Sequence, residues 1–124
     1  MSGEGEVSHP ILDPMGLDRL EQWGGIDLRL KMIALFFEHS PERVAGIGEG
    51  MRSGTLSLAE RSAHSLKSSA ANLGAERLRH LAGRAEEAAE RGDTALLAHL
   101  VPIIEETFSA TLEALQPYRG GGTP

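Results

Sequence analysis

Apolar residues recur along this chain at intervals of three and four, the period of one face of a helix. The clearest run is Leu56, Ala59, Ala63, Leu66, Ala70 and Leu73. It predicts a helix that begins near Thr55 or Ser57 and stops at Gly74. Ser57 and Glu60 have the spacing of a capping box at its start. Ala75, Leu78, Ala82, Ala85 and Ala89 repeat the seam in a helix over about Ala75 to Arg91. Gly92-Asp93 then reads as a stop and a new cap. The last helix runs to about Gln116, with Leu97, Leu100, Ile104, Phe108, Thr111 and Leu115 inward. Pro102 lies inside it; a proline ring removes one backbone hydrogen bond, so a kink or a division is expected there.

Upstream, a short helix around Leu17 to Trp23 ends at Gly24-Gly25, and a second, from about Asp27 to His39, is dense in Leu, Ile, Met and Phe. Ser40-Pro41-Glu42 combines an N-cap, a proline at the first helical position and an early acid, so a third helix is expected from there to about Ser53-Gly54. Sustained apolar/polar alternation, the mark of strands, is absent. Short linkers between long amphipathic helices make consecutive helices antiparallel neighbours. The expected fold is all-α, an antiparallel up-and-down four-helix bundle with one or two short additional N-terminal helices. Residues 11–116 would form this domain, with 1–10 and 117–124 as flexible tails.

Composition narrows the class. With 124 residues, 40% of them hydrophobic and 24% charged, the chain suits one globular domain. It has no cysteine, which removes disulfides, thiolate nucleophiles and thiolate metal sites. No uninterrupted apolar run approaches the roughly 18 residues of a spanning helix, and residues 1–7 lack the marks of a secretory signal. The cytoplasm is the default location. A net charge of −6 argues against nucleic acid or an anionic membrane as a partner. That average hides an asymmetry: Arg61, Lys67, Arg77, Arg79 and Arg84 face Glu76 alone between positions 61 and 84, a local +4 that leaves −10 on the rest. Such a neighbourhood suits an acidic partner.

Chemistry concentrates at Ala63-His64-Ser65-Leu66-Lys67-Ser68-Ser69. At 100° per residue, His64 sits about 130° from the centre of its helix's apolar seam. Glu60, Lys67, Ser68 and Ala71 share its outward stripe. An exposed neutral imidazole is a competent nucleophile towards phosphorus. Lys67, three residues on, would hold a positive charge beside the oxygens of a transferring phosphoryl group. Ser68 and Ala71 are small enough for a partner to approach the ring. His9, His39, His80 and His99 lack such a pattern. The chain carries no metalloprotease, nucleophile-elbow or phosphate-loop motif and no inward Glu-x-x-His pair, so it has no nucleotide site and would have to receive a phosphoryl group made elsewhere.

The run from Ala63 to Ala75, followed by Leu78 and Leu81, resembles the histidine-containing phosphotransfer (HPt) domain family. The broader likeness covers about residues 11–116, including Ile11-Leu12-Asp13 and Ser40-Pro41-Glu42-Arg43. Ala70 stands where many members have serine, and Ala82 where cysteine is frequent; both are small residues of the seam. The resemblance implies that His64 carries a phosphoryl group between aspartates of receiver domains, those of a hybrid histidine kinase and of a response regulator. Lys67 would assist electrostatically, and Glu60, Arg61, Ser68 and Ala71 would face the docked receiver. Magnesium would belong to the receiver, with no metal or cofactor on this chain. The implied protein is a phosphoryl carrier with no kinase activity of its own; a monomer is expected, because the reactive face needs access and the chain shows no second apolar stripe. Two other readings share the fold: a helical adaptor that binds a receiver or kinase without being phosphorylated, and the phosphoacceptor domain of a chemotaxis-type kinase.

Overall fold

The structure, a computed structural model, describes residues 8–120. The remainder of the two expected tails, residues 1–7 and 121–124, lies outside the described residues. Four α-helices and no strand occur among them: α1 (Pro14–Ser53), α2 (Leu56–Leu73), α3 (Glu76–Arg91) and α4 (Thr94–Leu115), followed by a 3-10 turn at Gln116–Tyr118. Each helix packs on the next, and α4 also packs on α1.

The stops fall where the glycines are. Gly74 has φ +76°, and the Ala75 N–H reaches back 2.9 Å to the Ala70 carbonyl, a Schellman ending that satisfies the frayed end of α2. α3 ends in the same way at Gly92, with the Asp93 N–H 2.8 Å from the Ala88 carbonyl. Asp93 then caps α4, its carboxylate accepting from the Leu96 N–H at 3.1 Å. The capping box expected at Ser57 and Glu60 does not form. Thr55 is the residue before α2, and its carbonyl already accepts from the Leu58 N–H, so Ser57 lies inside the first turn.

Neither Pro41 nor Pro102 divides its helix. α1 continues through Pro41 as one element to Ser53, and α4 runs undivided through Pro102. The reason lies on the opposite faces. Ile33, Phe36, Ser40, Val44 and Ile47 form one buried stripe across Pro41, and Leu97, Leu100, Val101, Ile104 and Phe108 do the same around Pro102. Both rings are exposed, so each helix gives up one hydrogen bond and keeps its burial. The real interruption is Gly24-Gly25, where φ/ψ of −144°/15° and 74°/−172° leave the helical region. The short segment before it buries Leu17 and Leu20, and the Asp13 N–H donates to the Gly74 carbonyl at 2.7 Å. Across the break, the buried Arg29 guanidinium pairs with Glu21 at 2.7 Å, which compensates part of the penalty of removing that charge from water.

The core is a single cluster of apolar side chains. α2 supplies Ala59, Ala63, Leu66, Ala70 and Leu73; α3 supplies Leu78, Leu81, Ala82, Ala85, Ala88 and Ala89. Methyl-sized seams let these two helices lie close together, which matters for the site they carry. The described ends of the chain are packed: Arg77 donates from Nε to the His9 carbonyl and from its N–H to that of Pro10, while Arg119 lies 4.0 Å over the Phe37 ring. By length and mean hydropathy α4 would pass for a membrane span. Its apolar stripe is instead spent inside the bundle, against α1 and α3.

Candidate functional site

Burial of Ala63, Leu66 and Ala70 turns the opposite stripe of α2 outward. His64 stands on that stripe with 62% of its side chain exposed, and Lys67 follows one turn on, half-buried. The residue that joins them comes from α3. Glu86 approaches α2 beside the Ala82, Ala85 and Ala89 seam and is largely covered. One of its oxygens, Oε2, lies 2.8 Å from His64 Nδ1; the other, Oε1, lies 2.6 Å from Lys67 Nζ.

This bridge decides the protonation pattern. Burial pushes the Glu86 carboxyl upward, but the hydrogen bonds from Lys67 and His64, together with their charges, outweigh burial and hold it below the usual carboxylate range. An ionised carboxylate only accepts hydrogen bonds, so Nδ1 must carry the proton and donate it. In the neutral ring, Nε2 then has a free lone pair. Glu86 thus selects the tautomer and aims the ring, as carboxylate partners do for metal-binding histidines.

The other residues expected at the site divide into two groups. Glu60 and Arg61, with Ser57 and Ser65, line a shallow hollow that contains His64 and Glu86. Ser68 is exposed and Ala71 half-buried further along α2, outside that hollow. On the far side of Glu86 a second hollow gathers Lys67, Arg79, His80, Gly83, Arg84 and Glu87. Arg79 is tied to Glu76 at 2.6 Å. A larger groove between α1 and α2 shares Arg61 and Ser65 with the first hollow but does not reach the imidazole. The other histidines lie elsewhere: His39 beside Glu38, His99 exposed on α4, and His9 against His80 with ring centroids 4.5 Å apart.

Sequence reasoning missed Glu86. It lies 22 residues beyond His64, next to another glutamate, and nothing in α3's own pattern distinguishes it from a solvated acid.

An exposed imidazole with a free nitrogen lone pair and a lysine one turn away can act as a nucleophile towards phosphorus, and comparison with known proteins gives the family. The profile of the Hpt domain matches residues 31–117. The chain belongs to the Hpt domain family, the histidine-containing phosphotransfer domains of phosphorelays. Its structure is similar to that of histidine-containing phosphotransfer protein B (HptB) from Pseudomonas aeruginosa PAO1, with a TM-score of 0.83 and 26% identity. That match covers 91% of this chain and 97% of the Pseudomonas chain. No curated protein matches in sequence.

Proposed function

We propose that this chain is a phosphoryl carrier in a phosphorelay, with His64 Nε2 as the acceptor atom. The observation that carries this reading is the contact of Glu86 with His64 Nδ1, because it leaves Nε2 as the nucleophilic nitrogen of an exposed ring. In the forward step the Nε2 lone pair attacks the phosphorus of an aspartyl phosphate on a receiver domain. The P–N bond forms as the P–O bond to the aspartate breaks, and the leaving electron pair returns to the carboxylate. The reverse step, on a second receiver, passes the group onward. Such a transfer needs positioning and charge neutralisation more than covalent machinery. Lys67 has three N–H donors, so it can keep its contact with Glu86 and still turn another towards a phosphoryl oxygen.

The receivers of a hybrid histidine kinase and of a response regulator are the proposed donor and acceptor, each bringing its own magnesium. Glu60, Arg61, Ser68 and Ala71 are proposed to face them. The same reading places the chain in the cytoplasm as a monomer, with residues 11–116 as an antiparallel up-and-down bundle. The two-residue linkers Gly54-Thr55, Gly74-Ala75 and Gly92-Asp93, between helices that pack on each other, support that arrangement.

The test is His64→Gln. The variant should keep the helical content and unfolding midpoint of the parent and lose acid-labile phosphorylation from a phosphorylated receiver. Undiminished labelling of the folded variant would sink the assignment.

A further inference from the structure

Glu86 faces a second task once the ring is phosphorylated, and the argument rests on the phosphotransfer reading above. When Nε2 of a ring protonated at Nδ1 attacks phosphorus, the product is a phosphorylated imidazolium with the Nδ1 proton still in place. To pass the group on, the P–N bond must break with its electron pair returning to Nε2. If Nδ1 is protonated, the departing ring is a neutral imidazole, a good leaving group. If Nδ1 has lost its proton to water, the departing ring is an imidazolate, a poor one. A carrier that loses this proton therefore becomes a trap.

We infer that Glu86 holds the Nδ1 proton on phosphorylated His64, so that the stored phosphoryl group stays transferable. The geometry provides for it. The Oε2–Nδ1 contact is 2.8 Å, on the side of the ring away from Nε2, so phosphorylation need not disturb it. Lys67 pins the other oxygen at 2.6 Å, which fixes the carboxylate against rotation. Among the described residues Glu86 is the one acid within ion-pair distance of His64. The remaining charges near the ring are Glu60 and Arg61 on α2, of opposite sign and lining the same hollow, and Arg79, His80, Arg84 and Glu87 on α3, beyond Glu86. α1 and α4 contribute no residue to either hollow.

Glu86 is on this account a positioning residue that acts through His64, and its signature is a pH profile. The full chain is phosphorylated with phosphoramidate, and the phosphorylated protein is followed by phosphorus NMR and by its hydrolysis rate between pH 6 and 9. In the parent, the midpoint at which Nδ1 loses its proton should lie about one pH unit or more above that of Glu86→Gln, as expected for a carboxylate in direct contact. Above both midpoints the Glu86→Gln phosphoryl group should hydrolyse about tenfold more slowly, because one unit is tenfold in the protonated fraction. Glutamine can keep its amide oxygen as the acceptor for Nδ1–H; its amide nitrogen cannot accept from Lys67, so the variant removes the charge and the lysine contact while the ring keeps its partner. Glu86→Ala, which removes the acceptor as well, should fall at least as far. Coincident midpoints in parent, Glu86→Gln and Glu86→Ala overturn the inference. Equal labelling of His64→Gln by phosphoramidate would instead overturn the phosphotransfer reading, so the two failures are distinguishable.

Discussion

Gly16 rests directly on Gly74, with no room between them for a side chain. A β-carbon on Gly16 would lie 2.6 Å from the Gly74 Cα, and one on Gly74 would lie 2.6 Å from the Asp13 carbonyl oxygen. Backbone cannot retreat as a flexible side chain can. Gly16→Ala should therefore lower stability by about 1–3 kcal/mol, the usual range for overpacking. Gly74→Ala should be worse, since its φ of +76° disfavours any Cβ. Urea unfolding reads both as a lower midpoint at unchanged slope.

Pro41 and Pro102 are exposed interruptions that the burial on the far side of their helices tolerates. Replacing either with alanine restores one backbone hydrogen bond and a good helix former. The gain should be about 2 kcal/mol, roughly 3 for the helix interior less up to about 1 for the added freedom of the unfolded chain. A higher thermal midpoint in Pro41→Ala and in Pro102→Ala is the expected result. A lower one would mean that the rings pack where they are described as exposed.

Lys67 pairs with a carboxylate in the resting state, so its removal tests the charge and not the fold. Lys67→Ala should slow phosphorylation of His64 by at least about tenfold at subsaturating receiver. The effect should stay at or below the hundredfold to thousandfold loss typical of buried donors, because Lys67 is partly open to water. Its unfolding curve should match the parent's within about 0.5 kcal/mol. An unchanged transfer rate would remove Lys67 from the chemistry.

His80 carries a pH dependence of stability. Burial lowers its affinity for a proton, and the neighbouring His9 and Arg79 lower it further. The unfolded chain therefore binds the extra proton more readily than the folded one. Stability is complete above the ordinary histidine range, about pH 6.5, and falls as the pH drops through that value towards the lower folded one. Denaturant midpoints at pH 7.5 and 5.5 should show this loss, and His80→Gln should reduce it. An identical pH response in the variant would assign the effect elsewhere.

The seams from Leu56 to Leu73 and from Leu78 to Ala89 were legible in the sequence because burial imposes a period that survives in residue type. Gly74 and Gly92 were legible because few residues accept a left-handed stop. Pro41 misled because Ser-Pro-Glu is a local signal, and the stripe through Ser40, Val44 and Ile47 that overrides it depends on packing with other elements. Glu86 was hidden for a related reason. His64 and Glu86 are equally far from Ala75, so a tight helical hairpin brings them level, but only a known turn reveals that pairing. Until then Glu86 and Glu87 are equivalent acids on a charged face.

The alanine seam between α2 and α3 has a consequence for how such a carrier evolves. Ala63 and Ala70 on one side and Ala82, Ala85 and Ala89 on the other set the separation across which Glu86 reaches His64. A single added methylene on that hidden floor would lengthen a 2.8 Å contact without changing any exposed residue. On the role proposed for Glu86, drift in the floor would retune how long a phosphoryl group is kept on His64 while the exposed residues stay the same.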